Sequence, residues 1–177
     1  PLSGHAQLAI DAARYSGELA LTLGGSKIEA KGRVDTTLAV DARFDPLRLD
    51  DVLPGASGHM QGHLSLRGKP TMPDVRVDLQ SQSLVYRDFR ASALQLHGQL
   101  PWSQGDGTLS VDAEDVHAGV ALASLHANLR GALSRLVVEL DARGEAGVLD
   151  IAGSARQTGT RWQGQLTRLS LAPTHGS

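Results

Sequence analysis

Alternation with a period of two runs through almost the whole chain, and it leaves few folds open. Leu64 and Leu66 alternate with Ser65 and Arg67. Val75, Val77 and Leu79 alternate with Arg76, Asp78 and Gln80, and Leu94 and Leu96 alternate with Gln95 and His97. A strand sends successive side chains to opposite faces, so each run reads as a half-buried strand with one apolar and one polar side. From Gly58 to Leu100 the order is strand, Pro-bracketed turn, strand, short crossing segment and strand.

The same pattern lies on either side. Upstream, Leu8, Ile10 and Ala12 form one run and Leu19, Leu21 and Leu23 a second. Ile28, Ala30 and Gly32 form a third, and Leu38, Val40, Ala42 and Phe44 a fourth. Tyr15-Ser16-Gly17 and Gly24-Gly25-Ser26 are turn-formers, and such short connections predict an antiparallel meander over 1–45. Downstream the runs are Leu109 to Ala113, Val116 to Leu122, Leu125 to Leu129, Leu136 to Ala142, Leu149 to Ile151, Trp162 to Leu166 and Leu169 to Leu171. The alternation changes parity near Ser124, as a bulge or a corner would make it do. About fourteen short strands are expected from these runs.

One stretch departs from the pattern. Asp45 suits an N-cap and Pro46 the first helical position, where a missing N–H is harmless. Leu49, Val52 and Leu53 share one helical face, and Pro54-Gly55 ends the run. The spacing predicts a helix of about two turns over 46–53. The expected organisation is one β-rich stretch over 1–177, with a strand meander over 1–45, a helix and turn over 46–57 and repeated strand units over 58–177. Apolar-x-Gly endings at Gly68, Gly98, Gly131 and Gly153 recur at uneven spacing, which argues for an irregular array rather than a solenoid with a fixed rung. Asn128 is the single asparagine, too few for the Asn ladder of a parallel β-helix.

Composition acts mainly by exclusion. A net charge of −2 lacks the basic face that a nucleic-acid binder needs. The chain has no Cys, so neither a disulfide framework nor thiol chemistry is expected. There is no apolar run of about 18 residues and no signal peptide. The sequence starts and stops inside patterned strands and is expected to be an internal part of a longer protein.

Candidate chemistry is sparse. His59 and His63 have the i, i+4 spacing that chelates zinc on a helix, but Gly58 and Gly62 argue for a strand. There they would sit about 13 Å apart and share no metal. Asp112, Glu114 and Asp115 cluster acids without the spacing or glycine of an EF-hand loop, and read as a solvated face. Asp50-Asp51 reads as a helix-surface pair. Trp102 and Trp162 suit the capping of an apolar core better than ligand binding. No nucleophile elbow, phosphate loop or triad is present. No metal and no cofactor are expected, and no enzymatic activity.

The apolar side of so many strands needs cover, and almost no helix is available to provide it. The sheets can stack as a sandwich, close as a barrel or curl into a trough. Aromatics make up 3% of the chain, so the apolar side is Leu, Val, Ile and Ala. Candidate inward residues are Leu8, Ile10, Leu19, Leu21, Leu38, Val40, Leu64, Leu66, Val75, Val77 and Leu79. Leu94, Leu96, Leu109, Val111, Leu125, Leu129, Leu136, Val138, Leu140, Leu149 and Ile151 complete the set. A slip of one residue would turn any strand's set outward.

Three stretches carry a family resemblance. In Leu47 to Pro70 a helix ends in Pro-Gly and is followed by Gly-x-x-x-Gly-x-Leu-x-Leu-x-Gly-x-Pro. Leu84 to Leu100 reads LVYRDFRASALQLHGQL, and Gly159 to Ser177 carries Trp-x-Gly-x-Leu-x-x-Leu-x-Leu. Each is mostly alternation and glycine, and the weight lies in their order. That order resembles the TamB family, translocation and assembly module proteins grouped with AsmA-like, bridge-type lipid transporters. Arg- and Ala-rich usage with three Lys fits a GC-rich proteobacterium.

The resemblance implies an all-β fold, an elongated curled antiparallel or mixed sheet (a β-taco) with a hydrophobic interior groove. It implies a periplasmic stretch of a protein anchored in the inner membrane, with the anchor and the conserved C-terminal region outside this sequence. Phospholipid or other acyl chains would lie in the groove as the conduit moves them between inner and outer membranes. Through the full-length protein, the partner would be a TamA-like outer-membrane barrel, and outer-membrane or autotransporter proteins would be possible clients. A chaperone-like groove for unfolded β-strands is the alternative, and a repeat of a secreted adhesin is a third reading.

Overall fold

A computed structural model describes residues 2–11, 14–101, 105–132, 134–158 and 161–173. They form one twelve-stranded sheet in which spatial order equals chain order. The strands are β1 (Leu2–Asp11), β2 (Arg14–Leu23), β3 (Ser26–Val34), β4 (Leu38–Arg48), β5 (Ala56–Lys69) and β6 (Met72–Tyr86). They continue as β7 (Phe89–Leu100), β8 (Gly107–Ala118), β9 (Ala121–Ala132), β10 (Arg135–Gly144), β11 (Gly147–Thr158) and β12 (Arg161–Ala172). Every ladder is antiparallel, so no parallel pairing mixes in. Two-residue turns explain this: Leu23 pairs with Ser26, Lys69 with Met72, Tyr86 with Phe89 and Gly144 with Gly147, and a turn that short returns the chain beside itself.

The sheet is open and curled. Strands make their substantial contacts only with chain neighbours, so among the described residues no second layer covers the apolar side and no ladder joins β12 to β1. The surface measures the consequence. The chain exposes 11703 Å², whereas a compact monomer of 18.6 kDa would expose about 8,200 Å². A sandwich or a closed barrel is thereby set aside.

The helix α1 (Leu49–Val52) lies inside the stretch expected to be helical but is a single turn. Asp45 and Pro46 belong instead to β4, and Arg48 occupies the N-cap position without a side-chain cap. Phe44 pairs with Gly62 and Leu47 with Met60, so β4 carries one residue more than β5 across this interval. That is a bulge, a position in a strand where proline's missing N–H does no harm.

Irregularities of this kind form an oblique line across the sheet. The β5–β6 register shifts between Ser57 and His59. Ser83, at φ 54°, lies between the pairs Gln82–Ala93 and Leu84–Ala91, and Asp115, at φ 48°, lies between Ala93–Glu114 and Arg90–His117. On β9 the shift falls between Leu122 and Ser124, which makes the parity change near Ser124 a bulge inside one strand. Likewise Trp162 to Leu171 is one strand, β12, whose register shifts between Leu166 and Arg168. The excess in the expected strand count comes from the run Val116 to Leu122, which straddles the turn between β8 and β9, and from the bulge that splits β12 into two runs.

Along this crease two small clusters of buried side chains gather, while Val77, Leu100 and Leu136 are buried away from it. Leu47, Leu49 and Ala56 form one cluster, with Ile28, Phe44, Met60, Leu84 and Tyr86 packed on it. Ala91, Ala113 and Val116 form a second, with Phe89, Leu94, Leu122 and Leu125.

Candidate functional site

Residues directly opposite in an antiparallel ladder share a face, so the register assigns every strand's apolar side. One row crosses all twelve strands: Ala6, Leu19, Ala30, Ala42, Leu64, Val77, Gly98, Leu109, Leu129, Val138, Gly153 and Leu166. The neighbouring row also crosses all twelve: Gly4, Leu21, Ile28, Phe44, Gly62, Leu79, Leu96, Val111, Ala127, Leu140, Ile151 and Leu169. Neither contains a polar side chain. The two rows lie about 7 Å apart along the strands and are about 50 Å long.

The remaining candidates fall in flanking rows of the same face. Leu8 is opposite Gly17, and Val40, Leu66 and Val75 lie opposite one another in turn, ending at Leu100. Leu136 faces Ala155. Ile10 is opposite Tyr15, and Leu38 is opposite Val34 and Gly68. On the other flank Leu94, Ala113, Leu125, Ala142, Leu149 and Leu171 follow one another. The register thus brings all the candidates to one face; the side chains of Leu8 and Ile10 lie outside the described set. Of the others, Val77 and Leu136 are buried, Leu19 is exposed and the rest are half-buried.

This face also includes residues that alternation alone did not select. Leu47, Met60, Leu84, Tyr86, Phe89 and Ala91 join it past the crease, where parity inverts. Leu166, Leu169 and Leu171 of β12 are 58–66% exposed. Trp162 is also exposed and caps no core; Trp102 lies outside the described residues.

The opposite face is charged, with signs that alternate across strands. Glu18 faces Lys31 and Lys31 faces Asp41. Asp112 pairs with His126, and Arg130 with Glu139. Arg67 hydrogen-bonds the Asp41 carboxylate and holds its pKa below the usual value. Away from this face, beside α1, Arg48 does the same for Asp50. A hollow of about 470 Å³ is lined by the charged side chains of Glu18, Lys31, Asp41 and Arg43 together with Leu19, Ala20, Ala30 and Ala42. His59 and His63 stand on β5 opposite Gln82 and Asp78. Among the described residues no three His, Asp or Glu side chains converge as a metal site.

The arrangement sets a continuous apolar surface on one side of the sheet and charged groups on the other. No helix among the described residues is long and apolar enough to cross a membrane.

No solved structure matches the chain. A curated relative, the translocation and assembly module subunit TamB of Haemophilus influenzae, is 26% identical over 161 residues, covering 87% of this chain. The match takes up 12% of that relative's length. The family model described as TamB, N-terminal domain, matches residues 1–177, and the chain therefore belongs to the TamB family.

Proposed function

We propose that the apolar face carries phospholipid acyl chains along the hydrogen-bonding direction of the sheet. In this reading the chain is one stretch of a periplasmic conduit between the inner and outer membranes. The full-length protein is anchored in the inner membrane and meets a TamA-like outer-membrane barrel, and the traffic supports outer-membrane biogenesis and protein assembly. The observation that carries the reading is the pair of rows without a polar side chain over twelve strands.

The energetics fit. Moving an acyl chain of about 16 methylenes from water to an apolar surface is worth at most about 13 kcal/mol, so unaided crossing of an aqueous gap is rare. A continuous aliphatic strip replaces water at every step, so the chain slides without a large barrier. Aromatics are scarce along the strip, with Phe44 the single one in the two rows, and the head group stays in water. An apolar strip this long, bare except where α1 lies on it, is a hazard for a protein that does not use it.

A second reading keeps the same two rows and lays on them the apolar side chains of an extended client segment, as a chaperone-like groove would. Photocrosslinking in cells separates the two. A photoreactive residue is placed at Leu66, Leu96 or Val138, with Arg67 and His97 as controls on the polar face. Lipid adducts confined to the apolar set are expected. Polypeptide adducts in their place favour the client reading, and shielding of every apolar position from both overturns the conduit. Leu→Asp at the same three positions should impair transport far more than Asp at Arg67 or His97.

A further inference from the structure

Among the described elements α1 alone stands outside the sheet, and it lies on the apolar face. Leu49 is buried in the cluster with Leu47 and Ala56, against Ile28, Phe44 and Met60. Phe44 and Ile28 belong to the second of the uninterrupted rows. The helix therefore covers a stretch of the strip that lies open at β12.

What holds it down is a small number of polar contacts. Ser26, at the start of β3, is 1% exposed. Its hydroxyl accepts a hydrogen bond from the Arg48 N–H (2.8 Å) and donates one to the Asp51 carboxylate (2.6 Å). One side chain of the β2–β3 turn thus grips both the residue before α1 and α1 itself. The turn is fitted to that grip. A Cβ at Gly24 would lie 2.8 Å from Asp51 Oδ1, and one at Gly25 would lie 2.8 Å from Arg48 Cδ. The far side of the segment is loose. Val52 and Leu53 are 45% and 42% exposed, and α1 makes its substantial contacts with β4 and β5 only.

We propose that residues 49–55 form a lid over the acyl-chain path at β3–β5, latched by Ser26 and swinging on the Pro54-Gly55 turn. The idea rests on the lipid reading of the apolar face. When the latch is closed, Leu49 occupies surface that an acyl chain would cover. When it opens, Ile28, Phe44 and Met60 join the strip, and an arriving chain replaces the contacts that Leu49 gives up. The Ser26 hydrogen bonds then decide how often this part of the path is available.

The absence of cysteine makes thiol labelling a clean test. Ala56→Cys places a thiol beneath the lid at a site 6% exposed, and Leu169→Cys gives a reference on the open strip at a site 63% exposed. A56C should react with a maleimide much more slowly than L169C. Ser26→Ala should accelerate A56C roughly tenfold, as the loss of a hydrogen bond to a charged group implies, and leave L169C unchanged. Asp51→Ala, which leaves every strand untouched, should do the same. Equal rates for A56C and L169C in the parent chain, or no acceleration by either latch variant, overturns the lid. A parallel arm places benzoylphenylalanine at Phe44 and at Leu169 and adds phosphatidylethanolamine vesicles. S26A should raise lipid adducts at 44 severalfold and not at 169. Absence of adducts at both positions, with the labelling result intact, overturns the lipid reading and keeps the lid. Adducts at 169 with A56C labelling insensitive to the latch variants overturns the lid and keeps the lipid reading.

Discussion

Arg67 on β5 reaches diagonally across the ladder to Asp41 on β4, and its Nη2 donates to both carboxylate oxygens, at 2.9 and 2.7 Å. Its Nη1 donates to the carbonyls of Val40 and Leu66. The guanidinium thus ties the polar face of one strand pair to the backbone that carries two apolar liners.

This pair gives the protein a defined response to acid. The hydrogen bond from Arg67 lowers the Asp41 pKa from its ordinary 3.8. A depressed carboxylate contributes stability that is fully present above the unfolded value and is lost as pH falls through the folded one. The pair is nearly half exposed, so the contribution is at most about 1 kcal/mol. Urea unfolding of the parent chain should weaken below about pH 4, and Arg67→Met should remove part of that dependence. An unchanged pH profile in R67M would show that the pair contributes nothing.

Two backbone positions predict opposite effects of substitution. Gly62 has φ +127°, and a Cβ there would lie against the Asp78 carbonyl of β6. Gly62→Ala should cost about 2–4 kcal/mol from strain and overpacking together. Ser83 already pays for a left-handed backbone at φ 54°, and Ser83→Gly should gain about 0.5–1 kcal/mol. Denaturant midpoints check both. A neutral G62A or a destabilised S83G would contradict the register at the crease.

His59 and His63 point to the polar face four residues apart on one strand, about 13 Å from each other. The double change to alanine should leave transport intact, and zinc should not raise the thermal midpoint of the parent chain. A zinc-dependent rise that the double variant abolishes would establish a shared metal.

Much of this architecture is written in local alternation. Leu64, Val77, Leu109 and Val138 were placeable on one face because a strand has no other way to arrange such a run. The crease was harder to read, because a bulge changes parity without leaving a turn residue behind. Leu84 and Tyr86 therefore fell out of phase with Leu79. Asp45-Pro46 carried a good helix-start signal, yet the pairing of Leu47 with Met60 keeps β4 extended past it, and the tertiary contact overrides the local preference. Whether the strip is open or covered was not legible in the alternation, since a sandwich, a barrel and a trough alternate alike; only the family resemblance implied the curled open sheet. Among the described residues, strands whose substantial contacts are only with chain neighbours decide it. The grip of Ser26 on Asp51 joins residues far apart in the chain, and no local pattern announces it.

Because each strand leans only on the strands before and after it, the molecule behaves as a ruler graduated in hairpins. One hairpin adds about 10 Å, returns the chain to the same side and leaves every other pairing in register. Duplication or loss of a hairpin would change reach without redesigning an interior, since nearest-neighbour architectures sum their stability unit by unit. Length along the hydrogen-bonding direction is thus set by the number of hairpins alone.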